Sequence, residues 1–235
     1  MIILACATQR ECFHSLRRIL PDPPASPHAL PDMLHYAGQD LGVAIVGIGP
    51  VAAALRMGNV LARFPQARAI VHLGICGTYD AQQADLGEVC VASSEIFPEY
   101  GVFTPDPAQR EPFGHAMLPE LDLASPDHIA LHPQDAATCL GFCIPPAWPT
   151  GPSITVSGVS GTLHRAQALR NAYEGLTENM EGFSIALAAL AHDLPCLEIR
   201  TVSNVAGERD KKYWNFSRAL HALEAIVPTL LGDPV

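Results

Sequence analysis

Short apolar runs that alternate with helical segments, most of them closing on glycine- or hydroxyl-rich turns, constrain this chain more than any other feature. Ile2–Ala7, Met33–Tyr36, Leu41–Val46, Ala69–Leu73, Glu88–Ile96, Ser153–Ser157 and Cys196–Val202 read as strands. The intervening patterns predict helices from Thr8 to about Leu20, over Val51–Phe64, after an N-cap at Thr162, over Phe183–Leu190, and from about Trp214 to Leu231. This alternation implies an α/β fold, a three-layer αβα sandwich around a central mixed sheet. In open sheets of this kind ligands bind beyond the carboxyl ends of the strands, so chemistry is expected at the polar turns.

With 235 residues, 49% of them hydrophobic and 16% charged, the chain can bury a core and reads as one domain over residues 1–235. The formal net charge of −10 comes without any Lys/Arg stripe. Nucleic acid and anionic membrane are therefore poor partners, and a small molecule is expected. The seven cysteines show no paired metal-ligand spacing, and their odd number suits reduced thiols. The opening run Met1–Cys6 is too short for a signal peptide or a membrane span, so the expected setting is the cytoplasm. No metal and no cofactor are expected. The segment 97–126, rich in proline and aromatics, is long for a loop and is expected to form an interface.

The strand ends gather the candidate functional residues. Glu11 follows the first strand at a helix start, where dipole complementarity alone would explain one carboxylate. Gly47-Ile48-Gly49-Pro50 resembles a phosphate-cradling loop only faintly, lacking both the full G-x-G-x-x-G and a P-loop Lys. The glycines around Ile75, Cys76 and Gly77 permit close backbone approach to a ligand. Cys76 has no base nearby in sequence and reads as a small buried residue rather than a nucleophile. The richest stretch is 177–214: Glu178-Asn179-Met180-Glu181 opens a buried helix, and the next strand carries Arg200 and delivers Ser203-Asn204.

Five motifs occur in order: Ala7-Thr8-Gln9-Arg10-Glu11, Gly47–Ala54, Leu73–Gly77, Asn179-Met180-Glu181-Gly182 and Arg200–Asn204. Together they resemble the nucleoside phosphorylase/nucleosidase superfamily along nearly the whole chain. Within it, Val156–Thr162 and Ser203–Asp210 are most similar to the futalosine hydrolases, which release hypoxanthine from futalosine in menaquinone biosynthesis. The resemblance implies catalytic roles for Glu11 as general base on a water, Glu181 on the ribose hydroxyls, Arg200 as the cation keeping a carboxylate ionised, and Asn204 facing the purine. It also implies substrate contacts from Ile75, Cys76, Gly77, Val159, Asn179, Met180, Ser203 and Trp214. A homodimer or higher homo-oligomer would bring Phe103 close to the partner's pocket for the 5′ substituent, for which Arg110 and His115 are only loop candidates.

The competing readings are phosphorolysis, methylthioadenosine/S-adenosylhomocysteine nucleosidase activity, and non-enzymatic nucleoside binding. Phosphorylases of this superfamily carry a phosphate-binding Arg where this chain has His72, and the hexameric ones a Ser where it has Ile75. The adenine-releasing nucleosidases carry Asp where it has Asn204. A binding module would need no base such as Glu11.

Overall fold

In a computed structural model, the structure describes residues 1–22, 26–104, 110–111, 113–121, 123 and 125–232. In chain order the elements are β1 (Ile2–Cys6), α1 (Gln9–Leu16), β2 (Met33–Tyr36), β3 (Gln39–Ile45), α2 (Pro50–Arg63), β4 (Ala69–Thr78), β5 (Val89–Ile96), β6 (Val102–Phe103), β7 (Arg110–Glu111), β8 (His128–Ala130), α3 (Pro133–Leu140), β9 (Thr150–Thr155), α4 (Leu163–Tyr173), β10 (Thr177–Asn179), α5 (Gly182–Leu190), β11 (Cys196–Val205) and α6 (Phe216–Leu230).

The main sheet runs β10-β9-β5-β11-β4-β1-β3-β2, with β8 added beside β5. It is mixed, as expected: β1 is parallel to β3 and β4, whereas β5 is antiparallel to β11. β1 shows how the layers arise. All five of its residues are buried, and the two-residue period sends Ile2, Leu4 and Cys6 to one face and Ile3 and Ala5 to the other. The first face packs on α1, α3 and α6 through Cys12, Leu16, Leu140, Leu223 and Ile226; the second packs on α2 and α5 through Ala53, Met57, Phe183 and Ile185. A strand covered on both faces reads as a continuous apolar run, which is why this one stands out in the sequence.

Boundaries differ from the sequence-based expectation where tertiary contacts outweigh local pattern. β4 does not stop at Leu73 but continues through the glycines to Thr78, because β11 pairs along it as far as Val205. Residues 177–179 form a buried strand, antiparallel to the end of β4 on one side and parallel to β9 on the other. α1 ends at Leu16, four residues short of the expected end. α6 begins at Phe216 with Asn215 as its N-cap, whose side chain accepts from the Arg218 amide, so Trp214 precedes the helix. Thr162 does cap α4, accepting from the Arg165 amide. The 97–126 segment lies partly outside the described residues; its described part includes the β6–β7 hairpin, pairing Val102 with Glu111 and Phe103 with Arg110.

Two irregularities shape the site end of the sheet. A β-bulge between Val202 and Asn204 leaves Ser203 as the extra residue, so Val202 pairs with Cys76 and Asn204 with Gly77. Bulges locally disrupt pairing and re-aim side chains. The glycine at 49 has φ of 88°, a left-handed conformation open to glycine at little steric cost, and there the chain turns from β3 into α2. Among the described residues no helix is long and apolar enough to cross a membrane.

Candidate active site

A cavity of about 410 Å³ opens at the carboxyl ends of β1, β4 and β11, within the range usual for small-molecule sites. Glu11, Ile75, Cys76, Gly77, Val159, Asn179, Met180, Glu181, Ser203, Asn204 and Trp214 all line it. Two of the expected site residues do not. Arg200 is buried behind the wall, and Phe103 sits 63% exposed on the β6–β7 hairpin, away from this cavity. Of the loop candidates for the 5′ end, the Arg110 side chain lies outside the described residues and His115 is not among the lining residues.

Glu11 has both the structural and the site position that its sequence context left open. Its backbone amide donates to Thr8 Oγ1, while its Oε2 accepts from the Thr8 amide at 3.0 Å and the Thr8 hydroxyl at 2.7 Å, a capping box that starts α1. Its Oε1 accepts from the Ile75 amide at 3.0 Å across the sheet. Three donors hold the carboxylate in one orientation, yet a carboxylate offers about four lone-pair positions, so accepting capacity remains toward the cavity.

Glu181 sits at the N-terminus of α5, buried, with its Oε1 accepting from the Gly49 amide at 3.0 Å. The Gly-Ile-Gly-Pro turn thus supports the protein's own carboxylate, and Pro50 supplies a carbonyl to the Ser184 hydroxyl. Behind Glu181, Asn179 organises the turn: its Oδ1 accepts from the amides of Glu181 and Gly182 at 2.8 and 2.7 Å.

Arg200 is the centre of the layer beneath. Its nearest carboxylate is Glu198, which accepts from Nε at 2.7 Å, whereas Glu181 lies 3.7 Å from Nη1. Glu198, two residues earlier on the same face of β11, is therefore its primary partner and Glu181 the secondary one. Nη2 reaches Asn179 Oδ1 at 3.2 Å and lies 3.2 Å from the ring of His72, which is fully buried and off the cavity. The glycine at 74 makes this possible: a Cβ there would stand 2.6 Å from Arg200 Nη1 and 2.9 Å from Glu11 Oε1. That glycine admits the protein's own charged groups rather than a ligand, a correction to the expectation from sequence; Gly77 is the one that lines the cavity. Burial alone would raise the Glu198 carboxyl, but the guanidinium and His72 outweigh it and hold it down to about 2.

Glu95 completes this layer. Its Oε1 accepts from Asn179 Nδ2 at 2.7 Å, and its other oxygen pairs with the Thr155 hydroxyl at 2.6 Å. Burial and the negative charge of Glu198 push its carboxyl well above the ordinary range. The glycine at 182 separates the two acids, since a Cβ there would meet both.

At the other end of the cavity, Asn204 accepts from the Ser203 hydroxyl at 2.8 Å and donates to the Val205 carbonyl at 3.0 Å. Each end of its amide keeps one further position. Trp214 is pinned by a hydrogen bond from Nε1 to the Glu208 carbonyl at 2.8 Å and meets Phe216 edge-on. Cys76 is buried, and burial raises its thiol well above the usual value, which disfavours the thiolate a nucleophile would need. All seven cysteines are unpaired.

Lining residues that sequence reasoning did not single out include Thr8, Arg10, Ile48, Ser160, Glu178, Arg209 and Phe216. Glu178 accepts from the Ser160 amide at 2.8 Å, the Ser160 hydroxyl and the Tyr79 hydroxyl.

A cavity holding three carboxylates and two side-chain amides, walled by apolar side chains at the strand ends of an αβα sandwich, defines a small-molecule site of the nucleoside-processing kind. The family model described as the phosphorylase superfamily matches residues 2–231. A futalosine hydrolase from Streptomyces coelicolor is 35% identical over 209 residues, covering 86% of this chain and 80% of that relative. One from Acidothermus cellulolyticus is 31% identical over 229 residues, covering 95% and 86%. The chain belongs to the phosphorylase superfamily and, within it, to the futalosine hydrolases. Among solved structures, a Helicobacter pylori nucleosidase mutant with 5′-methylthioadenosine in the active site superposes with a TM-score of 0.71 at 18% identity, covering 97% of this chain and 96% of the other. A Streptococcus pneumoniae MTA/SAH nucleosidase in complex with 8-aminoadenine gives 0.70 at 19%, covering 98% and 96%. These shared folds match the expected αβα sandwich.

The raised Glu95 carboxyl yields a stability prediction. A group kept neutral in the fold but free to ionise when unfolded contributes stability at low pH that is lost as pH rises above the ordinary carboxylate value. Glu95→Gln keeps the neutral hydrogen-bonding shape without that loss, so its Tm relative to wild type should rise from about pH 5 to pH 7. Glu95→Leu should instead cost roughly 1–3 kcal/mol for each buried partner left unsatisfied. Thermal melts across this range check both; a Gln variant that loses ground with rising pH would contradict a neutral Glu95.

Proposed function

We propose that this protein hydrolyses the N-glycosidic bond of a 6-oxopurine nucleoside, with futalosine as substrate and hypoxanthine as the released base. The observation that carries the reading is the gathering of Glu11, Met180, Glu181 and Asn204 around one cavity in a chain of the futalosine hydrolase family. Glu11 accepts a proton from a water that attacks the anomeric carbon. The bond from that carbon to N9 breaks with its electron pair passing to the purine, which takes up a proton from solvent at N7. The oxocarbenium-like sugar lies over Met180, and Glu181 holds its hydroxyls, a negative charge near a cationic transition state. Asn204 accepts from N7–H and donates to O6.

Water rather than phosphate is the nucleophile in this reading. His72, at the position where phosphorylases of the resembled superfamily carry Arg, is sequestered beside Arg200, and the side chain at 75 cannot hydrogen-bond phosphate. The protein is further proposed to act in the cytoplasm as a homodimer or higher oligomer. Val51 and Leu55 on α2 and Phe103 on the hairpin are exposed large apolar side chains, which a second copy would cover.

Incubation with futalosine in phosphate-free buffer should release hypoxanthine, and Glu11→Gln should lower kcat by ~10²–10⁴-fold while nucleoside still binds. No hypoxanthine from wild type, or near wild-type turnover in the variant, would defeat this assignment. Asn204→Asp should lower the efficiency ratio of inosine over adenosine by about one to two decades, because a carboxylate faces O6 with like-signed charge. An unchanged ratio would show that Asn204 does not read the base. Sedimentation at micromolar concentration should find a dimer or larger assembly, and a fully active monomer would contradict the proposed interface.

A further inference from the structure

The cavity carries two cations that the reaction at the glycosidic bond does not use. Arg10 lies in the first turn of α1, one residue before Glu11, and Arg209 lies in the loop after β11; both line the cavity and both are exposed. Neither forms an ion pair among the described residues, although acids outnumber basic residues 24 to 14 in the chain. Arg209 is nonetheless held in place. Its guanidinium lies over the Trp214 ring, 4.9 Å from the centroid, and that ring is itself fixed by its bond to the Glu208 carbonyl. A planar guanidinium stacked on an indole keeps its edge donors free for a ligand.

The charges inside the cavity say what that ligand is. Glu11, Glu178 and Glu181 line the interior, each bonded to protein donors, and among the described residues none forms an ion pair with Arg10 or Arg209. An anionic group cannot settle among these carboxylates. The 6-oxopurine and the ribose are both neutral near pH 7 and give a guanidinium nothing to pair with. What remains of the substrate is the group on the 5′ carbon, and an anion there would be repelled from the interior and held at the rim. In a chain of net charge −10, such a rim also offsets the overall repulsion of an anionic substrate.

We propose that Arg10 and Arg209 form the subsite for a carboxylate on the 5′ substituent, and that this pair selects carboxylated nucleosides over neutral ones. The proposal rests on the nucleosidase reading above and extends it to the end of the substrate that no other residue of the cavity addresses. Arg is suited to the task because its fork can donate two parallel hydrogen bonds to a carboxylate. Arg10 supplies the second cation from the turn that also positions Glu11, so that anchoring the 5′ end and presenting the anomeric carbon to the base are coupled.

The test compares futalosine with its carboxylate methyl ester in wild type, Arg10→Gln, Arg209→Gln and the double variant, reading the ratio of kcat/KM for acid over ester. Hydrogen bonds to a charged group imply a fall in that ratio of roughly tenfold for each arginine lost, and more in the double variant. The wild-type ratio should also fall with added salt, whereas the ester's own kcat/KM should respond little to salt. A wild type that cleaves acid and ester equally well, or an unchanged ratio in the double variant, would overturn the subsite while leaving the nucleosidase reading intact. A fall carried wholly by one arginine would overturn the pairing. Absence of hypoxanthine release from both compounds would instead defeat the reading on which the subsite rests.

Discussion

One buried guanidinium organises this structure. Arg200 is among the largest fully buried side chains in the protein, and it reaches the glycine turn of β4, Asn179, His72 and two glutamates from a single position on β11. Taking such a charge out of water is costly and is sustained only by an opposite charge in good geometry, which Glu198 provides at 2.7 Å. Burial, together with the negative charge of Glu198, raises the Glu95 carboxyl, and Glu95 holds the amide of Asn179, whose carbonyl oxygen holds the start of α5 where Glu181 enters the cavity. The order of dependence runs from charge burial to protonation to the position of a site carboxylate.

This layer is the part that could not be read from the chain. The αβα architecture was legible because doubly covered strands announce themselves as apolar runs, and the site region was legible because glycines and polar residues cluster at strand ends. Glu11, Glu181 and Asn204 stand in such turns. Glu95, Glu198 and His72 stand inside apolar strands, where a lone polar residue looks like noise in the pattern until its partner on a neighbouring strand is known. Glu198 lies only two residues from Arg200, a spacing that puts both on one face of a strand, so that pair alone had a local signal. The buried strand at 177–179 was missed for a related reason: Glu178 and Asn179 have little strand propensity, and the β4 and β9 pairings override it.

Glycine acts here mostly as a space between the protein's own groups. Those at 74 and 182 each stand where a methyl group would collide with ionisable side chains, and the one at 49 turns its amide toward Glu181. A motif that resembles ligand-binding glycine can therefore belong to the layer behind the ligand, and its distance from the cavity decides which.

The capping box at Thr8 and Glu11 ties the first helix to the chemistry of the cavity. The carboxylate that closes the first turn of α1 is the same one that faces the anomeric carbon in the proposed reaction, and its remaining oxygen is held by the amide at 75. Helix ends open locally far more often than whole domains unfold. In the proposed reaction, fraying of this one turn would disarm the site without loss of the core, so that a protein whose bulk fold survives warming would fall silent before it denatures.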